Sequence, residues 1–471
     1  MPNIKFKEYD QNQLQLLPQD LESQIAPDHL AKLISKVVDD INLSFIENSY
    51  SNDGQRAYHP RMLLKVLIYG YAIGIRGSRK LADRLKEDVV FMWLSGRNIP
   101  DFRTISDFRK DKLQHFKQIF EQVLKTCFSL NMARVGKVSL DGTKILANAS
   151  KNKAVFRTNL KKQRESIHQK VKDIMKEVES ADEEEERLYG NATPHRTGIN
   201  FDDPEVGEKI AKAVKKIEQQ RKRLAKKKAI LMAKGSEIKR KERTMRKDRN
   251  SFSFIDKDAT VMMMKEGYIA PGYNVQLATE HQVILAYGIS SNRNDQRLLK
   301  PMIKEIKERT DRIPQTLITD MGYGSKSNYR YLKHESIQGY VPYNTYEYDR
   351  ILRNKGLYQY PDNLDKELEK YKFIQRLRLQ SDEGKQLIKR RREDVEPVFG
   401  NLKRNMGFRR FNLRGRYKCE IELGLVSVAH NLKKMKNQVK KLMEWDDGRR
   451  ETTELGAVLG YLPASGEAMP A

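Results

Sequence analysis

Three patterns in the 471-residue sequence predict a mixed α/β protein with an N-terminal helical domain and a charged helical hairpin inserted into its sheet. Apolar residues recur at helical spacing up to about residue 135. Short apolar runs then alternate with helical ones in 137–148 and 252–342, and two long amphipathic seams lie between those stretches. Strands interleaved with helices describe a mixed sheet with helices around it. The boundaries that follow are 1–135 for the N-terminal helical domain, 136–150 with 252–440 for the α/β core, 151–251 for the inserted hairpin and 441–471 for a C-terminal tail.

In chain order, residues 27–47 carry Leu30, Leu33, Ile34, Val37, Val38 and Ile41 at helical spacing, and Pro60 opens a second helix that runs to Ile75. Shorter helical segments follow at 78–85, 89–94 and 100–109, with Arg on one side. This suits either a helix-turn-helix reader of DNA or an ordinary bundle. At 137 the pattern changes: Val138, Leu140 and Ile145 mark a buried strand, and Asp141-Gly142 is expected where that strand tips out of the core, or else as a hairpin turn. The seams Ile167, Val171, Ile174, Val178 and Ile210, Val214, Ile217, Leu224 predict two long antiparallel helices joined by the loop 189–203. They are acidic near 182–186 and strongly basic from 221 to 249, which fits an arm over DNA or a solvated hairpin. Strands are expected at 256–259, 272–278 and 283–289, then a helix at 295–310. A short strand ending in Asp320 follows, then a helix at 325–333, a strand at 339–342, a helix carrying Glu396 and a last core helix at 420–435.

Lys and Arg total 90 against 63 Asp and Glu, a formal charge of +27, which favours a polyanion as partner. Twelve Lys or Arg stand against three acids in 385–418, so the surplus concentrates around Glu396. Two cysteines, Cys127 and Cys419, give neither a disulfide framework nor a zinc cluster and point to a reducing, cytoplasmic compartment. The start of the chain has no apolar signal core, and the longest apolar run, Leu63 to Ile75, is broken by Lys65 and too short to span a bilayer.

Asp141 and Asp320, each at an expected strand end, join Glu396 as candidate acids. Three converging carboxylates would repel, and a hard divalent cation removes that conflict, so all-oxygen ligation points to Mg²⁺ or Mn²⁺. Two such ions could drive an in-line phosphoryl displacement. On helical spacing Arg392 and Lys403 share roughly a side with Glu396, and Arg409, Arg410 and Arg414 extend the positive charge toward a phosphate backbone. Glu393, one turn before Glu396, is the alternative third acid. A Gly-rich phosphate loop and a Ser-His-Asp ordering are both missing, which argues against ATP hydrolysis and acyl transfer.

Asp141 in VSLDGTKILAN, Asp320 in LITDMGYGS and Glu396 in EDVEPVFGNLKRNMGFRRFNLRG resemble the three acids of the DDE transposases of bacterial insertion sequences. PDFRTISDFRK and PGYNVQLATEHQVILAYGISSNRNDQ are similar to other parts of that family. Its signature around the glutamate is Tyr, two residues, Arg, three residues, Glu, six residues, Lys; Arg392, Glu396 and Lys403 match it, while Lys389 stands in place of the tyrosine. The resemblance implies a ribonuclease-H-like core and a nucleoid-associated enzyme that cuts at the element's inverted ends and joins them to target DNA. It further implies that Asp141, Asp320 and Glu396 hold two metal ions, that Arg392 and Lys403 contact phosphate, and that the synaptic complex is a homodimer or larger. The competing readings are a catalytically silent DNA-binding protein derived from such an element, and a structural protein built on the charged hairpin.

Overall fold

A computed structural model describes residues 20–50, 57–150, 154–190, 204–245, 251–360 and 365–447. The chain forms two compact units, one combining the stretch up to Asn148 with that from Met262 onward, the other comprising Ala149–Val261. Most of the expected loop 189–203, the end of the basic run at 246–249 and the tail beyond 447 lie outside the described residues.

The larger unit begins with helices α1 (Leu30–Asp40), α2 (Ser44–Glu47), α3 (Pro60–Ala72), α4 (Ser78–Glu87), α5 (Val89–Leu94), α6 (Phe102–Asp107) and α7 (Phe116–Ser129). Their starts follow from local chemistry. His59 accepts from the Arg61 amide ahead of Pro60, and Asp88 and Asp101 cap α5 and α6 by accepting from backbone amides.

Strand β1 (Lys137–Leu146) follows. The smaller unit then supplies β2 (Ala154–Phe156), α8 (Arg157–Gly190), α9 (Pro204–Thr244) and β3 (Ser251–Ser253). The sheet resumes with β4 (Thr260–Met263), β5 (Ile269–Glu280) and β6 (Val283–Ser290), then α10 (Leu299–Thr310), β7 (Thr316–Ile318), α11 (Lys326–His334) and β8 (Gln338–Tyr340). Helices α12 (Tyr346–Asn354), α13 (Lys366–Gln380), α14 (Asp382–Gly400) and α15 (Arg416–Asp447) complete the chain.

The sheet runs β4-β5-β1-β7-β8, with β6 also paired to β5. Pairings of β1 with β5 and β5 with β6 are antiparallel, whereas β1–β7 and β7–β8 are parallel. Val138 and Leu140 are fully buried in β1, each contributing about 2 kcal/mol by leaving water. Helix α15 buries Ile421, Leu425, Val428 and Leu432 and packs against α3, α7 and β6, so the N-terminal helices share a core with the sheet. Glu422, fully buried on α15, accepts from the Asn412 and Leu413 amides and faces Arg76 at 3.5 Å, tying the segment after α14 to the N-terminal helices.

Two expectations are corrected. Residues 256–259 form turns rather than a strand, because the Asp256 carboxylate accepts from the Asp258 amide at 3.2 Å and bends the chain; β4 starts at Thr260. Asp141 lies in the middle of β1 rather than at its end, and Asp141-Gly142 makes no hairpin.

In the smaller unit, α8 and α9 pair as an antiparallel coiled coil. Leu160, Ile167, Ile174 and Ala181 face a seam at Ile217, Leu224, Leu231, Ile238 and Met245, a strict seven-residue step. Ion pairs Arg221–Asp182 and Arg164–Glu242 set the register.

Candidate active site

Register places the two aspartates side by side. In the parallel pair Ser139 stands opposite Ile318, so two residues further along Asp141 falls level with Asp320. Strand β7 stops at Ile318, and Asp320 accepts from the Gly322 amide at 3.0 Å to cap the turn 321–323. Beyond that point β1 keeps β5 on one flank, its other edge is next paired only at Leu146, which bridges to Arg410, and its residues change from buried to half-buried at Asp141. Asp141 therefore has a rigid strand beneath it and an opening where its parallel neighbour ends, the position at which sheets of this kind bind ligands.

Helix α14 packs on β1, β5 and β7 near this opening. Val395 and Val398 are fully buried; Arg391, one and two turns earlier on that stripe, points at the acids. Its guanidinium donates to Asp141 Oδ2 at 3.1 Å and lies 3.6 Å from Glu396 Oε1, with side-chain exposures of 13, 18 and 54% for Arg391, Asp141 and Glu396. Burial raises the Asp141 carboxyl to about 6, Arg391 opposing it and Asp320 adding to it. Asp320 is likewise raised by burial and lowered by Arg391.

Behind the aspartates lies a polar floor. Asp295 Oδ1 accepts from Asn274 Nδ2 at 2.6 Å and Gln276 Nε2 at 2.8 Å, and Gln276 Oε1 accepts from the Tyr323 hydroxyl. Gly142 leaves room for this floor, since a Cβ there would sit 2.8 Å from Asp295 Oδ1. Burial pushes the Tyr323 hydroxyl well above its ordinary range, with Asp295, Asp141 and Asp320 adding to the effect.

The five expected basic residues have different surroundings. Lys403 Nζ donates to Thr143 Oγ1 at 2.6 Å from the π-helical turn Asn401–Asn405, past the end of α14, and burial lowers its ammonium group. Arg392 is exposed and lines a cleft of about 400 Å³ together with Asp320, Tyr343, Tyr346, Lys385 and Arg391. Arg409, Arg410 and Arg414 are exposed and donate to backbone carbonyls of Lys403, Ala147 and Asn148. Glu393 is exposed and faces Lys389 at 3.9 Å.

The structure thus brings Asp141, Asp320 and Arg391 together, with Glu396 joined through the guanidinium. Among the described residues, no three carboxylate, histidine or cysteine side chains converge tightly enough to hold a metal ion. The donor chemistry still fits a hard dication: two raised carboxylates lie level, one within β1 and one just past the end of β7, with a positive group already between Asp141 and Glu396.

Sequence reasoning missed Arg391 and Asp295. Both had a signal. The stripe of Val395 and Val398 selects Arg391 rather than Arg392 as the inward arginine, and Asn274 with Gln276 on one face of an otherwise apolar strand calls for a buried polar partner.

Two family models match the chain. One, described as Transposase domain (DUF772), covers residues 19–111; the other, described as Transposase DDE domain, covers residues 214–432. No curated protein and no solved structure matched. No helix among the described residues is long and apolar enough to cross a membrane. The DDE match runs from within α9 to the middle of α15, and that family's core is ribonuclease-H-like, in keeping with the mixed sheet. With both matches naming transposases, the chain belongs to the DDE transposases of insertion sequences, DNA-binding enzymes of a family that uses divalent metal ions.

Proposed function

We propose that Asp141, Asp320 and Glu396 are the catalytic acids of this transposase, hydrolysing phosphodiesters at the element's inverted ends and then joining the freed 3′-hydroxyls to target DNA. The observation that carries this reading is the shared guanidinium: Arg391 joins acids from β1 and α14, 255 residues apart in sequence, beside Asp320 at the end of β7. In the first reaction a water oxygen bonds to phosphorus, the P–O3′ bond breaks, and the proton lost by water ends on the 3′-oxygen. In the second, the 3′-oxygen bonds to a target phosphorus and the target's own P–O3′ bond breaks. The number of covalent bonds is unchanged in the second reaction.

Divalent cations, two Mg²⁺ or Mn²⁺, when bound supply charge for the attacking and leaving oxygens. Asp141 and Asp320 would hold them on a rigid strand pair, with Glu396 as the third acid from α14. Arg391 keeps Asp141 ionised by opposing the penalty of burial. Gly142, Asp295, Gln276 and Tyr323 fix the floor under the two aspartates. Arg392 in the cleft beside Asp320 and Lys403 on Thr143 orient phosphate, while Arg409, Arg410 and Arg414 bind the backbone further along. A homodimer or larger assembly pairs two ends.

Each of Asp141→Asn, Asp320→Asn and Glu396→Gln should reduce Mg²⁺-dependent nicking of DNA carrying the element's ends by more than about a thousandfold, the several kcal/mol that metal charge supplies to the transition state. End binding should stay within a few fold. Nicking retained by any one of them removes that residue from the set.

A further inference from the structure

We infer that the antiparallel coiled coil of α8 and α9 carries a DNA-binding surface on its basal half only, the half nearest the β2–β3 ribbon. This goes beyond the catalytic reading and does not depend on it.

The register makes the division visible. With Asp182 against Arg221 and Arg164 against Glu242, residue 157 to 172 of α8 lie opposite about 232 to 244 of α9. In those two stretches eleven Lys and Arg stand against three acids, Glu165, Glu237 and Glu242. In the next section outward, 173–187 against 217–231, eight Lys and Arg stand against nine acids. The outer section is balanced across the pair, with the acids at 182–186 opposite the cations around Arg221 to Arg223. The basal section has a surplus of eight positive charges.

That surplus is not explained by the coiled coil itself. Facing helices of a coiled coil are stabilised by opposite charges at the flanks of the seam, and like charges there are destabilising. The outer section follows this rule, whereas the basal one has the cross-helix pair Arg164–Glu242 but carries a large excess of one sign around it. Lys161, Lys162, Lys170, Lys172, Lys234 and Lys239 all stand exposed. Sixteen residues of helix extend about 24 Å, and that length of duplex carries about 14 phosphates. A surface of this charge and length suits the backbone of B-form DNA, and counterion release would offset the repulsion that the basal section sustains. Backbone rather than base contact is expected, because seven of the eleven cations are lysines, point charges suited to phosphates.

The test uses the full-length protein and a duplex carrying one element end. Changing Lys161, Lys162, Lys170, Lys172, Lys234 and Lys239 to Gln should lower the magnitude of the log-affinity against log-salt slope by about 0.9 for each lysine in contact, a drop of about 2 or more, with affinity at least about tenfold weaker near 0.1 M salt. Changing the outer lysines Lys176, Lys222, Lys226, Lys227 and Lys228 to Gln should leave the slope unchanged. Circular dichroism checks that both sets keep their helices, and Lys→Arg at the six basal positions should restore the slope. An unchanged slope in the basal Gln set overturns the inference, as does an equal loss in the outer set. Nicking by the unaltered protein is scored separately: its absence alongside the expected slopes would overturn the assignment of the acids and leave the DNA surface standing.

Discussion

Arg391 decides the electrostatics of the site. Asp141 and Asp320 are both raised by burial, so at neutral pH each carries an unfavourable charge that the guanidinium partly offsets. The sign follows from linkage. A carboxyl at about 6 in the folded chain and near its ordinary value when unfolded lowers stability above that ordinary value, fully so above 6, and contributes nothing below it. Arg391→Gln should therefore destabilise the metal-free protein at pH 8 by about 3 kcal/mol, as expected for removing one partner of a largely buried pair. The loss should vanish near pH 4, and Mg²⁺ should recover more stability in the variant than in the unaltered chain. Thermal unfolding at the two pH values, with and without Mg²⁺, reads this directly; equal midpoints at pH 8 would show that Arg391 is no counter-ion. The two candidate aspartates stand out in the sequence as carboxylates beside short apolar runs, although Asp141 lies within its strand rather than at its end. Arg391 stayed hidden inside a run of four cations, 389 to 392, where only the packing of α14 on β1 decides which side chain turns inward.

Among the elements, the turn between β5 and β6 holds α14 in place. His281 and Gln282 both have positive φ, 52° and 66°, the geometry of a two-residue hairpin turn that usually takes Asn-Gly. Contacts from two helices offset the strain: the Gln282 amide donates to Asp394 and its side chain to the Glu393 carbonyl on α14, while His430 of α15 meets the Gln282 carbonyl at 2.8 Å. His430 is fully buried, with Nε2 donating to that carbonyl and Nδ1 accepting from Asn401 Nδ2 at 2.9 Å. Both nitrogens are thus committed in the neutral ring, and burial lowers the imidazole to about 4. Because the unfolded chain takes up this proton near 6.5, stability should be full above that value and fall as pH drops from 6.5 to 4, by as much as about 3 kcal/mol. Urea midpoints at pH 7 and 4.5 should converge for His430→Gln relative to the unaltered protein; an identical pH dependence in both would remove His430 from this role. Helices and long strands were legible because their periods are carried by many residues. The strand expected at 256–259 failed because one Asp256 side chain, bonded to the Asp258 amide, outweighs a short run's pattern.

For the molecule as a whole, the sequence marks the inserted hairpin well, since a seven-residue seam and a polar surface need no partner to be recognised. It does not reveal that the N-terminal helices share a core with the sheet. That union depends on α15 packing against α3 and α7, and on Glu422 meeting Arg76, contacts between residues about 350 positions apart. The ribbon beneath the coiled coil offers a clean test of independence. Phe156 of β2 stands opposite Ser251 of β3, so the chain leaves and returns across one strand pair. Replacing residues 157–250 with a two-residue Asn-Gly turn should let that pair close as an ordinary hairpin. Removing a long arm from such a point changes loop closure by under about 1 kcal/mol per few-fold change in length. The shortened protein should then unfold within a few degrees of the full chain, keep metal-dependent nicking of an end duplex, and bind that duplex with a shallower salt slope. A shortened protein that no longer folds would show that the coiled coil stabilises the catalytic unit, while one with an unaltered slope would show that DNA is held by the larger unit alone.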